Sequence, residues 1–266
     1  MSIYMDKGIL LYSIVMAAIL GAVFGSFLNC AAWRIARDEP FWKGRSRCPT
    51  CGHTLGALDL IPIFSWLFLR GKCRWCGAKV SARYMLTECF FAAVTAACLL
   101  RFDLTALCLR NWVFLCCLFC LALVDLESFE IPDGCLILAA AAWVLALPFT
   151  GAQGREIGQS VLSGVVFGGG LLLLSLLLDH ILQKESLGGG DIKLFAVVGL
   201  YLGLIGTLFA VMLACILGLA FAHLRRRRGA ERGSPIPFGP AIAAAAGAML
   251  LWGGPLVAWY GGLLRG

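Results

Sequence analysis

Charge is what this chain has least of. Only 14% of its 266 residues are Asp, Glu, Lys or Arg, the acids number 15, and there are three histidines. Set against 61% hydrophobic residues, that scarcity excludes a soluble globular domain, in which about 25% of residues are charged. The chain also lacks a glycine-rich fingerprint of a Rossmann nucleotide site. Its long apolar runs lack charges at their middles, which argues against an ion or proton route through a membrane. No obvious cleavage site follows the first run, which is long, weakly basic at its start, and reads as a retained helix rather than a signal peptide.

Long apolar runs are what the chain does have. A helix needs about 20 residues to cross a hydrocarbon layer of about 30 Å. Runs of that kind fall at 8–32, 84–102, 111–127, 134–150, 158–182, 191–205, 206–224 and 238–262. The expectation is an α-helical multi-pass membrane protein with about eight transmembrane helices. The weakest division is the one at Gly203 and Gly206, between the sixth and seventh runs. Cationic loops stay on the cytoplasmic side. Residues 33–83 hold ten cations (Arg34, Arg37, Lys43, Arg45, Arg47, Arg70, Lys72, Arg74, Lys79 and Arg83), loop 183–193 holds two and 225–232 holds five. Seventeen of 22 therefore sort to the inside, leaving Lys7, Arg101, Arg110, Arg155 and Arg265 opposite, with both termini outward. The run Arg225 to Arg228 reads as a helix end fixed at lipid headgroups, so no nucleic-acid partner is expected.

The thirteen cysteines form two populations. Cys48-Pro-Thr-Cys51-Gly and Cys73-Arg-Trp-Cys76-Gly stand in the only substantial polar segment, 21 residues apart. Each C-x-x-C turn aims two thiolates at one point, and two turns complete a tetrahedral zinc shell. A reducing compartment disfavours disulfides or a redox pair. Four sulfurs leave no open position, so Cys48, Cys51, Cys73 and Cys76 predict a structural zinc that folds a small domain without hydrolytic chemistry. His53 reads as a solvated loop residue, and His180 and His223 as interfacial ones. The other nine cysteines lie in apolar helices and read as packing.

Two acids stand where the surroundings are otherwise apolar: Asp125 in LVDLESFEIPD and Asp191 in LGGGDIKL. An ionised carboxylate near hydrocarbon costs a few kcal/mol or more unless water, a cation or a shared proton relieves it. The expected topology puts both acids at the same, inner depth, and Gly188, Gly189 and Gly190 permit a close backbone approach before Asp191. Two carboxylates sharing one proton activate water against an amide carbonyl without metal or covalent intermediate. On depth and spacing alone, helix capping and interfacial solvation serve equally well, and Asp133 or Asp179 is an alternative partner. Glu127 and Glu130 read as interfacial.

Several ordered segments carry a resemblance. They are Gly25-Ser-Phe-Leu-Asn29 with Arg34, the two cysteine pairs, Asp59-Leu-Ile-Pro-Ile63-x-Ser65, Arg70-Gly-Lys-Cys-Arg74, Ser81-x-Arg83-Tyr84 with Glu88, Asp125 with Ile131-Pro-Asp133, Gly188-Gly-Gly-Asp191-x-Lys193, and Ile236-Pro-Phe-Gly-Pro240. Together they resemble the bacterial type IV prepilin peptidases, membrane aspartyl proteases of the GxGD class, over nearly the whole chain. Met85 departs from the pattern, which has Pro after Arg-Tyr at the entry to the second membrane helix.

The resemblance implies that Asp125 and Asp191 are the catalytic acids. It also implies that the enzyme removes a short basic leader from prepilins or pseudopilins at the cytoplasmic side of the inner membrane. Many members also methylate the new amino terminus from S-adenosylmethionine, an activity associated with the zinc-bearing segment. The expected organisation is a first membrane helix at 1–32, a cytoplasmic zinc-binding domain at 33–83 and a membrane protease domain at 84–266. Membrane lipid surrounds it, and the sequence is silent on oligomeric state. The rival reading is a noncatalytic assembly factor or transporter whose zinc domain docks a partner.

Overall fold

A computed structural model describes residues 7–42, 44–183, 187–227 and 236–263. Lys43, Lys184, Arg228, Arg232 and Arg265, five of the cations in the charge argument, lie outside the described residues. Among the described residues every regular element is helical, and the chain divides into two compact units, Met1–Cys108 and Leu109–Gly266.

In the first unit, α1 (Lys7–Ile35) packs along α3 (Ala82–Phe102). A hydrogen bond from Asn29 to Thr87 Oγ1 joins the two helices, and Ser81 caps α3 by accepting from the Arg83 amide at 3.2 Å. Helix α3 runs unbroken through Met85, so the departure from the family pattern leaves local geometry intact. Between them lie a 3₁₀ turn at Ala57–Leu60 and the short α2 (Phe64–Phe68). Arg74 bonds Asp59 at 2.8 Å, and Asp59 also accepts the Gly56 amide at 3.1 Å. Buried Glu88 accepts the Ile63 amide at 2.7 Å. Ile63 is β-branched yet sits at φ 65°, a left-handed conformation that a neighbour must hold in place.

Helix α4 (Ala106–Ser128) starts in the first unit and continues as the most enclosed helix of the second, where α5 (Asp133–Thr150), α6 (Gly154–Leu182), α7 (Gly189–Arg227), α8 (Gly239–Trp252) and α9 (Gly254–Leu263) follow. Among the described residues, six helices are long and apolar enough to cross a membrane, or seven if α8 and α9, bent by 78° at their junction, make one span. Many large apolar side chains lie exposed along them, among them Leu145, Phe149, Leu173 and Leu219, as expected of surfaces that face lipid. The chain is an integral membrane protein.

The sixth and seventh expected runs, 191–205 and 206–224, are the two helices that meet within α7 across a kink at Gly203 (φ 65°, ψ −178°), where the division was expected. A straight helix would set Gly190 and Gly218 about 42 Å apart. Gly190 instead meets Ile131, just beyond α4, while Gly218 meets Phe238, whose neighbour Gly239 bonds Asp125 near the end of α4. Both ends of α7 thus return toward the same end of α4, and Gly203 is where the helix turns back. Its first half, about 14 residues, is only about 21 Å long.

Small residues govern the packing of α6 on α7, as hydrocarbon surroundings favour. Gly168 lies against Ala196, and buried Ser163 and Thr207 hydroxyls meet at 3.4 Å. Tyr201 stacks on Phe114 at 3.9 Å and bonds the Ala139 carbonyl at 2.7 Å.

Candidate active site and metal centre

The two C-x-x-C segments fold as near copies. In the first, the Cys48 amide donates to the His53 carbonyl at 2.9 Å and the Gly52 amide to the Cys48 carbonyl at 2.9 Å. In the second, Cys73 donates to Ala78 at 2.8 Å and Gly77 to Cys73 at 2.9 Å. Gly52 and Gly77 both take φ 70°, which these turns require and which a Cβ would strain.

The four sulfurs of Cys48, Cys51, Cys73 and Cys76 lie within 4.8 Å of one another, with Cys48 and Cys76 at 3.8 Å. Tetrahedral ligands about 2.3 Å from a metal are about 3.8 Å apart, so the cluster suits a metal ion. The amides of Cys51 and Thr50 pull the Cys48 thiol down to about 6, whereas at Cys76 the pull of the Ala78 amide is outweighed by desolvation and the three neighbouring sulfurs, which push that thiol up to about 11. His53 lies against Trp75 with ring centroids 4.1 Å apart and the planes tilted by 35°, and is not part of the cluster.

The acid site belongs to the second unit. Asp125 is 5% exposed, one turn before the end of α4. Its Oδ2 accepts the Gly239 amide at 2.8 Å. A Cβ at position 239 would stand 2.8 Å from that oxygen, so only glycine permits the approach. Asp191 occupies the first turn of α7, partly buried, and lies close enough to Asp125 to feel its charge. The two acids, 66 positions apart in sequence, thus lie near the ends of their helices within electrostatic range of one another.

The alternative partners make other contacts. Asp133, at the start of α5, forms an ion pair with Lys193 Nζ at 2.9 and 3.0 Å. Asp179 accepts from Ser175 at 3.4 Å. His180 and His223 are exposed. Sequence reasoning gave no role to Gly239, to Glu88 or to the Asp133–Lys193 pair. The signal available was their place inside the quoted motifs.

These features define a helical integral membrane protein carrying an acid pair at converging helix ends and a separate four-cysteine cluster. Residues 19–102 match the bacterial peptidase A24 N-terminal domain, and residues 112–223 match the type IV leader peptidase family. The chain is 34% identical over 254 residues to a prepilin leader peptidase/N-methyltransferase of Bacillus subtilis (strain 168), covering 91% of this chain and 95% of that one. A protein of the same description from Aeromonas hydrophila is 35% identical over 237 residues, 84% of this chain and 78% of its own. One from Burkholderia pseudomallei (strain 1026b) is 32% identical over 273 residues, 92% and 87%. No solved structure matches the chain. The chain belongs to the type IV leader peptidase family.

Proposed function

We propose that this protein is an aspartyl endopeptidase that removes the leader from prepilins or pseudopilins, with Asp125 and Asp191 as its catalytic acids. The observation that carries the reading is the buried Asp125 held by the Gly239 amide within electrostatic range of Asp191. Like charges in a poorly solvated site do not both ionise at low cost, so one proton is shared. The ionised acid takes a proton from water as its oxygen attacks the scissile carbonyl. The protonated acid then supplies the proton that the departing amide nitrogen needs. The Gly239 amide orients Asp125 throughout.

The Lys and Arg distribution supports a cytoplasmic site in the inner membrane, with residues 33–83 as a cytoplasmic module and both termini outward. Such a site faces a substrate whose cleavage point lies just outside the bilayer. The same module holds zinc by its four sulfurs, and the closed thiolate shell gives that ion a folding role. The lack of mid-membrane charges speaks against the transporter alternative.

The relatives' description also supports N-methylation of the new amino terminus, for which S-adenosylmethionine is the donor we infer. A groove of about 270 Å³ in the module is lined by Leu58, Ile61, Phe64, Ser65, Phe68, Leu69 and Arg74. Its walls are mostly apolar, Arg74 is engaged by Asp59, and the lining holds no carboxylate to meet the donor's ribose hydroxyls and ammonium. The groove does not fit the donor.

The test is incubation of the detergent-solubilised enzyme with a prepilin-like substrate, followed by mass analysis. Wild type yields a product cut at the leader boundary, and Asp125→Asn and Asp191→Asn do not. Full cleavage by either variant overturns the acid-pair reading.

A further inference from the structure

We propose that Cys98 and Cys108 form a disulfide bridge that pins the corner between α3 and α4 on the outer face of the membrane. Two pairs stand close among the nine cysteines outside the metal cluster, Cys98 with Cys108 and Cys120 with Cys135, and of these the first lies at the corner that the proposed orientation turns outward. The Cys98 and Cys108 sulfurs are 4.0 Å apart, and each also lies 3.8 Å from the other's backbone carbonyl. Both are buried, at 0% and 8% exposure, so each has the other as a standing neighbour rather than solvent.

The positions suit a staple. Cys98 lies one turn before the end of α3 at Phe102, and Cys108 falls in the first turn of α4. The intervening corner is short and carries a local brace, the Thr105 hydroxyl accepting the Cys108 amide at 3.2 Å. A disulfide needs its sulfurs at about 2.05 Å, so closure asks about 2 Å of movement, within reach of side-chain rotation at both ends.

The chemistry depends on the side of the membrane, and here the inference rests on the orientation proposed above. That orientation puts 33–83 inside and the next connection, residues 103–105, outside, where thiols oxidise. The oxidant is a protein disulfide of the exchange type. One thiolate attacks it to give a mixed disulfide and release one donor thiol. The second thiolate then displaces the other donor sulfur, so the pair loses two protons and two electrons and the donor ends as a dithiol. The metal-cluster cysteines, on the reducing side, meet no such donor.

The experiment uses full-length protein made without reductant, its thiols trapped with N-ethylmaleimide under denaturing conditions and its peptides weighed. The expected result is a linked 98–108 pair, about 2 Da lighter than the dithiol and unlabelled unless first reduced. Label on both cysteines without reduction overturns the proposal. A Thr105→Cys probe in a Cys98→Ala, Cys108→Ala background, tested with a membrane-impermeant maleimide, reports the side of the corner. Labelled thiols with an outward corner defeat the bridge alone. Labelled thiols with an inward corner defeat the bridge and the orientation together, while a bridge found with an inward corner defeats the orientation only. In support, reductant lowers the Tm of the wild type and leaves that of the Cys98→Ala, Cys108→Ala variant unmoved. Equal response of both proteins counts against the bridge.

Discussion

The cysteine cluster and the acid pair are built by opposite means. Each half of the cluster is closed by hydrogen bonds spanning five residues, Cys48 to His53 and Cys73 to Ala78, around a left-handed glycine. The acid pair is assembled over long distances, with Asp125 bonded to Gly239 across 114 positions and Lys193 to Asp133 across 60. The first region is local geometry awaiting an ion, and its stability should depend on that ion. The second is a product of helix packing in lipid, and should survive removal of either acid while losing function.

The largest effect should come from the ion. Structural zinc contributes about 10–16 kcal/mol to small domains of this type, more than a module of this size retains without it. Cys48→Ser or Cys73→Ser should reduce zinc below one per chain by elemental analysis and open residues 44–80 to limited proteolysis, with the helices still inserted. Full zinc occupancy in either variant removes the metal reading.

Next in size is the acid pair. Asp125→Asn or Asp191→Asn should lower the cleavage rate by about 10³-fold, within the range general acid–base groups contribute. Zinc content and thermal stability should stay at wild-type values. If both variants lose zinc as well, the two regions are not independent and the contrast fails.

This contrast also explains what was legible in advance. The spacing of Cys48, Cys51, Cys73 and Cys76 encodes its own geometry, because two thiols three residues apart share a turn wherever that turn lies. The apolar runs encode spans for the same local reason. Asp125 and Asp191 carry no such internal ruler, and depth and spacing left capping, Asp133 and Asp179 open. Only the family resemblance favoured the pair. The turn at Gly203 was visible as a pause in the apolar run, but its effect, returning both ends of α7 toward one end of α4, depends on contacts with Ile131 and Phe238 that no local pattern contains. The role of Gly239 was hidden for the same reason, since a backbone amide has no signature in sequence.

Gly239→Ala sharpens the comparison at intermediate size. The added methyl would stand 2.8 Å from Asp125 Oδ2, displacing the carboxylate and breaking its amide bond. Hydrogen bonds to charged groups contribute about 1.5–3 kcal/mol, so kcat should fall about 10- to 100-fold. KM should change little, because the substrate does not contact this amide in the proposed mechanism. A fall confined to KM points instead to a role for 236–240 in substrate binding.

The smallest effect is expected at the Asp133–Lys193 pair, whose side chains are 60% and 59% exposed. Exposed pairs contribute about 0–1 kcal/mol, and salt screens them further. The pair nonetheless ties the start of α5 to the turn of α7 that carries Asp191 two residues away. Asp133→Asn and Lys193→Met should therefore each slow cleavage by no more than about fivefold. The double variant should be no slower than either single one, since both remove the same tie. The wild-type rate should approach theirs as salt rises. A loss near 10³-fold in Asp133→Asn alone would instead make Asp133 a proton-carrying member of the site, and return the choice among the acids to where spacing left it.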